Sequence, residues 1–218
     1  MPTPFFALFG AALAALVLTG CQTGKKAVTF VKPPPPQNYF SGEPIGIPIR
    51  RVALLPIFND KYPQEQLREL DAAFGAELTK KSIFEVVSVS RSSMEGFFGQ
   101  RQLASVENLP ADLLAKLRER YGVDGIVFTD ITHYSPYRPL AIGVRAKLLD
   151  ASSGEIRWAF DYIFDSGNPT IAQAAKTYQA RFGRDNLPLA GDGGTVLISP
   201  ARFAKFVANQ TYVSLNNH

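Results

Sequence analysis

The chain has 218 residues, room for one full-sized domain or two small ones. A hydrophobic fraction of 46 % excludes a globally disordered polymer, and 19 % charged residues is a modest share. The formal net charge of +4 comes from Lys and Arg scattered among Asp and Glu, with no dense basic run, which argues against nucleic acid as a partner.

Taken in order, Phe5–Leu18 is apolar and uncharged but too short to span a membrane. It ends in Leu18-Thr19-Gly20-Cys21: an aliphatic residue, two small ones, then a cysteine. This order resembles the bacterial lipobox, in which small residues fit a peptidase cleft and the thiol receives a diacylglycerol. Residues 1–20 are therefore expected to be a lipoprotein signal peptide, with Cys21 as the lipidation site and its acyl chains as the membrane anchor. One acyl chain binds marginally, whereas several hold firmly. Cys21 is the single cysteine, so a fold without disulfides must hold by its core even in an oxidising periplasm. Gln22 follows it. An Asp there resembles the inner-membrane retention signal of enterobacteria, so Gln22 points to a periplasm-facing position on the outer membrane.

Residues 21–50 read as the acylated cysteine and a Pro-rich tether. Lys25 and Lys26 lie close to the headgroups, and Pro33–Pro36 predicts about 12 Å of polyproline II spacer at about 3.1 Å per residue. Gly42, Pro44, Gly46 and Pro48 keep the remainder irregular. One periplasmic domain is expected over 51–218. Val52–Phe58 is a short apolar strand broken at Pro56. Gln64–Lys81 is an amphipathic helix with Leu67, Leu70, Phe74 and Leu78 on one stripe. Phe84–Ser90 is a second strand and Ser92–Phe98 a short helix. Asn108 caps a helix with Pro110 in its first turn, running to Tyr121 and stopped by Gly122.

Gly125–Thr132, Ile142–Asp150 and Ile156–Phe164 then read as an antiparallel meander. The last two alternate with period two: Ile142, Val144, Ala146 and Leu148 on one parity of the first, and Ile156, Trp158, Phe160, Tyr162 and Phe164 on one parity of the second. Asp150, the serines after it and Gly154 make the reversal between them. Pro169–Phe182 predicts a helix, Gly183–Gly194 a polar loop, Val196–Ile198 a strand-like run, and Ser199-Pro200 the cap of a last helix reaching about Leu215. The whole is an α+β arrangement with a three-layer tendency: a mixed sheet of about five strands, the meander at one side, and helices packed on it.

The order of a lipobox cysteine, the strand Arg51-Val-Ala-Leu-Leu-Pro56, the segment Tyr121-Gly-Val-Asp-Gly-Ile-Val127 and the hairpin from Asp150 to Trp158 resembles three groups. These are the periplasmic domains of the curli-secretion lipoprotein family, the lipoprotein activators of penicillin-binding proteins, and the N-terminal domain of the Tol-Pal β-propeller protein. The resemblance covers roughly 51–182 and implies a fold and an envelope location more than a chemistry. One departure is plain: the link His133–Ala141 is too short for the transmembrane hairpins of a curli-type pore, whose strands need about 9–11 residues each.

Little catalytic chemistry is legible. Two histidines and one cysteine supply no metal cluster, no G-x-S-x-G or H-E-x-x-H pattern occurs, and no cofactor is implied. His133 and Asp130 lie three apart on a strand, hence on opposite faces. The enzyme alternative is a weak cell-wall hydrolase using Asp150, Asp161 and Asp165, which needs two carboxyls in one cleft. The reading adopted is a non-enzymatic envelope module that binds another envelope protein or itself; a variant makes it a subunit of an outer-membrane secretion assembly. Arg145, Lys147 and Arg157 fall on the polar parity of neighbouring strands and are the candidate partner-binding patch, with Asp161 as the only acid expected beside them.

Overall fold

The computed structural model describes residues 38–41, 49–182 and 194–216. Cys21, most of the tether and all but the last residue of the 183–194 loop lie outside them. Six strands form one sheet in the order β1-β6-β5-β4-β2-β3: β1 (Asn38–Ser41), β2 (Arg51–Leu54), β3 (Glu85–Ser88), β4 (Gly125–Ser135), β5 (Ala141–Asp150) and β6 (Ile156–Asp165). β2 runs parallel to both β3 and β4, while β4, β5, β6 and β1 are successively antiparallel. The five main strands, the meander among them, lie where the sequence places them. β1 does not: it comes from the stretch read as an irregular tether.

The helices sort by face. α1 (Gln64–Lys80), α4 (Pro169–Phe182) and α5 (Pro200–Thr211) cover one side of the sheet; α2 (Arg91–Phe98) and α3 (Leu113–Tyr121) cover part of the other. The parallel crossovers force this division. The chain leaves β2 through α1 to reach β3 and returns over β2 through α2 and α3 to reach β4, so the two connections pass on opposite faces. β2 is covered on both, with Val52 and Leu54 in one core and Ala53 and Leu55 in the other. That explains a strand without alternation.

Local chemistry sets the helix ends. Ser90 caps α2, its hydroxyl accepting from the Ser93 amide, and Ser199 caps α5 by accepting from Arg202. Gly122 closes α3 at φ 61°, a conformation glycine adopts without strain. α3 begins at Leu113, with Asp112 at its cap, later than the Asn108 cap expected from sequence. The Val196–Ile198 run is also corrected: Gly194–Leu197 is a 3-10 turn. α5 ends at Thr211 and continues as a 3-10 segment, Tyr212–Asn216.

The larger core lies under α1, α4 and α5 and centres on β6. Trp158 is fully buried, stacked 6.0 Å from Phe160 and tilted against Tyr212 at 6.2 Å, and its indole Nε1 donates to Ser214 Oγ at 3.0 Å. The C-terminal 3-10 segment thus supplies both a ring and a polar partner to the middle of the sheet. Ile156, placed on the same apolar parity by alternation, is 44 % exposed. A bulge is the reason: Leu148 pairs with Trp158 but Leu149 pairs with Ile156, so Arg157 is the extra residue and the parity changes across it.

Replacing Trp158 by Ala is expected to cost about 3–5 kcal/mol, a large share of a domain's stability. Trp158→Phe, which keeps most of the ring volume and loses the bond to Ser214, is expected to cost roughly 1–3 kcal/mol. Urea unfolding of both variants checks the order, and an unchanged midpoint for Trp158→Ala contradicts this packing.

Candidate functional site

Two places gather polar side chains: the open part of the sheet on the α2/α3 side, and a cleft at the carboxyl ends of β2 and β3. The first contains the cations expected from sequence. Arg145 Nε donates to Asp161 Oδ2 at 2.9 Å, directly across the β5–β6 pair, with both side chains about one-third exposed. Lys147 Nζ donates to the Ser105 carbonyl at 2.8 Å. Arg157, the bulge residue, acts electrostatically on Asp150 at the β5–β6 turn.

Asp130 joins this group and was not foreseen there. It stands opposite Arg145 in the β4–β5 register, on the parity of Ile126 and Phe128, and is 4 % exposed. The Ser105 amide donates to both of its oxygens, at 2.9 and 3.1 Å, and the Ser105 hydroxyl to Oδ2 at 2.6 Å. Burial pushes its carboxyl up from the ordinary value, against the lowering effects of Ser105, Arg145 and Lys147. Acids therefore alternate with the cations. Asp130 and Asp161 lie beside Arg145, and Asp150 lies beside Arg157. Asp130 and Lys147 pin the 99–112 link to the sheet through Ser105, the first through its amide and hydroxyl and the second through its carbonyl.

The cleft encloses about 450 Å³ between α1 and α2, with Pro56, Arg68, Ser88, Ser92 and Arg101 on its walls. Its floor is a fixed network. Arg91 Nη2 and Nε reach Asp71 Oδ2 at 2.9 and 3.1 Å, Nη2 also donates to the Ile57 carbonyl, and Nη1 donates to Gln102. Asp71 Oδ1 accepts from the Ile57 amide at 2.7 Å, and burial raises this carboxyl too. Gln102 continues to the Asn59 carbonyl, and Asn59 to the Ile131 carbonyl. The loop after β2 is thus tied to α1, α2 and β4 by side chains that are already occupied. A signal for Asp71 existed in the sequence: a charge four residues from Leu67 and three from Phe74, inside the apolar stripe.

The hydrolase triad is not assembled. Asp150 accepts from the amides of Ser152 and Ser153 and the Ser152 hydroxyl, which hold its carboxyl below the usual range, the hydroxyl having the largest effect. Asp161 pairs with Arg145, and Asp165 accepts from the Gly167 amide at 2.7 Å. Asp161 and Asp165 are four residues apart on one strand, about 13 Å at about 3.3 Å per residue, beyond the roughly 5–9.5 Å of paired glycosidase carboxyls. His133 is exposed and Asp130 buried. Among the described residues no group of three or more His, Cys, Asp or Glu could hold a metal ion, and no helix is long and apolar enough to cross a membrane.

No protein-family model matches the chain, and no curated protein sequence does. Among solved structures it is similar to a variant PelC dodecamer from Paraburkholderia phytofirmans (14 % identity over 80 % of this chain and 96 % of that one, TM-score 0.43). It is also similar to lipoprotein GNA1162 from Neisseria meningitidis (16 %, 62 % and 99 %, TM-score 0.44). A third is the LpoB C-terminal domain from Salmonella enterica (18 %, 53 % and 82 %, TM-score 0.32).

Asp130 gives a pH test. A carboxyl raised in the folded chain contributes stability that is fully present below the unfolded value, near 3.8, and is lost as pH rises through the raised value. Asp130→Asn does not titrate. The stability of the natural chain relative to Asp130→Asn is therefore expected to increase as pH is lowered from about 7 to about 4, read as paired urea midpoints; a constant difference contradicts it.

Proposed function

We propose that the protein is a lipid-anchored lipoprotein of the cell envelope, facing the periplasm from the outer membrane, and that it works without catalysis as a protein-interaction or assembly module. The observation that carries this reading is Leu18-Thr-Gly-Cys21 directly after an uncharged apolar run. The engagement of Asp150, Asp161 and Asp165 in separate local bonds supports an interaction role over the hydrolase alternative. The partner is another envelope protein or a second copy of the chain, and a place within an outer-membrane secretion assembly is a variant of the same reading.

Arg145, Lys147 and Arg157 remain the proposed contact residues, with a changed role. Because acids are interleaved with them, the surface offers an ordered pattern of both signs, and such a pattern sets register and specificity more than raw affinity.

Mass spectrometry of the mature N-terminus from envelope fractions is expected to find Cys21 first and acylated, and Cys21→Ala to free the chain from the membrane. An unmodified Cys21, or cleavage elsewhere, overturns the anchor. Asp150→Asn, Asp161→Asn and Asp165→Asn are each expected to preserve complementation of a deletion strain. Lys147→Ala combined with Arg157→Glu, checked for folding by circular dichroism, is expected to remove one specific in-cell crosslink. The opposite pattern selects the hydrolase.

A further inference from the structure

Resting on the anchor reading above, we propose that one end of the domain lies against the lipid surface. Tyr137 and Ile163 are its apolar contacts, and Arg138 and Lys176 are its contacts with anionic headgroups.

The register fixes which end this is. Ser135 pairs with Ala141 and Ala141 with Asp165, so the 136–140 link, the end of β6 and the start of α4 come together at one edge of the meander. β1 is antiparallel to β6, Asn38 opposite Asp161 and Ser41 opposite Trp158, so the chain enters β1 from that same edge. Cys21 and Asn38 are separated by residues 22–37, sixteen in number, with a maximum reach of about 55 Å at about 3.4 Å each. Presenting the opposite end, the Glu155 turn, would require the tether to double back along the ten residues of β5, roughly 33 Å at about 3.3 Å each. That uses more than half of its reach. The tether's point of entry favours the Tyr137 end.

The side chains at that end suit a lipid surface. Tyr137 is 81 % exposed and Ile163 56 %. Isolated exposed apolar residues need no explanation, but these two both lie toward the edge from which the chain enters β1. The backbone of the link that carries Tyr137 is fixed: Ser135 Oγ donates to the Tyr137 carbonyl at 3.2 Å and the Ser166 amide donates to the Leu140 carbonyl at 2.8 Å. A tyrosine with an apolar body and a polar tip sits naturally at headgroup level. Arg138 and Lys176 line one shallow hollow with Pro139 and Ser166, and neither takes part in an ion pair among the described residues. Within 134–142 and 163–176 the one acid is Asp165, turned to the Gly167 amide, so two cations face one acid. A basic patch of this size adds a second, weaker attraction to an acyl anchor.

The test uses the full acylated chain in vesicles of phosphatidylethanolamine and phosphatidylglycerol. With Cys21 acylated, Tyr137→Cys and Glu155→Cys each provide one thiol for a nitroxide label. The label at 137 is expected to be relaxed by lipid-soluble oxygen and shielded from a water-soluble nickel chelate, and the label at 155 to behave in the reverse way. Arg138→Glu with Lys176→Glu is expected to return the label at 137 to the aqueous pattern while the protein stays on the vesicle. Equal aqueous behaviour at both sites overturns the proposal and leaves the anchor intact. Shielding at 137 from both reagents indicates a protein contact and also overturns it. Mass spectrometry of the same sample separates these results from a failure of acylation, which overturns both readings.

Discussion

A single carboxylate organises the helical layer. Glu77 of α1 is 1 % exposed and accepts from three partners: Lys80 one turn along its own helix, the Tyr178 hydroxyl of α4 at 3.0 Å, and the Asn209 amide of α5 at 3.0 Å. A buried charge is tolerable only where donors surround it, and removal of its partners leaves a cost of several kcal/mol, on the order of 3–5. The three helices must therefore meet at one geometry. Tyr178 responds to the same contact: burial raises its hydroxyl far above the ordinary value, with the Glu77 charge adding to it. With that junction set, Phe206 and Tyr212 are delivered onto β6, where Phe206 meets Phe164 edge-on at 6.0 Å and Tyr212 meets Trp158. The indole of the sheet is thus sealed by residues about fifty positions away in sequence.

The opposite layer is built on different physics. α2 and α3 bring a smaller apolar cluster over β2 and β4, and the remaining coverage is polar. Ser105 on Asp130 and Arg91 on Asp71 fasten the α2–α3 link and the loop after β2 by short bonds, and burial raises both carboxyls. Each acid loses hydration and regains part of it from fixed donors, which stabilises one arrangement of the loops more than it stabilises the fold. One face of the meander is closed by aromatic packing; the other stays partly open beside Arg145 and Lys147.

Much of this was legible in the sequence because the signals were periodic. The 2-residue alternation of β5 held along the strand, and α4 occupies the expected Pro169–Phe182. What failed was non-periodic. The bulge at Arg157 reversed the parity on which Ile156 had been placed, and nothing in Ile156-Arg-Trp marks an extra residue. β1 has four residues and depends on β6 for its bonds, so its own composition carried no strand pattern. α3 began a turn late although Asn108 and Pro110 offered plausible start chemistry. Glu77 and Asp71 were visible as charges within the apolar stripe of α1, three residues after and before Phe74. A stripe reading that counts only hydrophobic residues passes over them.

The same bookkeeping of polar groups bears on function. Catalytic acids and bases must be held in place while an acceptor or donor site remains open to the substrate. Here the buried carboxylates are already engaged: Asp71 by Arg91 and Ile57, Asp130 by Ser105, Asp150 by Ser152 and Ser153, and Glu77 by three donors from three helices. Their chemistry is used to hold loops and helices together. On the open half of the sheet Arg145 and Lys147 are only partly covered, and at its Tyr137 end the Tyr137 ring and the Ile163 side chain are exposed. Such groups suit recognition of a surface by charge pattern and apolar contact, which is the kind of contact the proposed binding role requires.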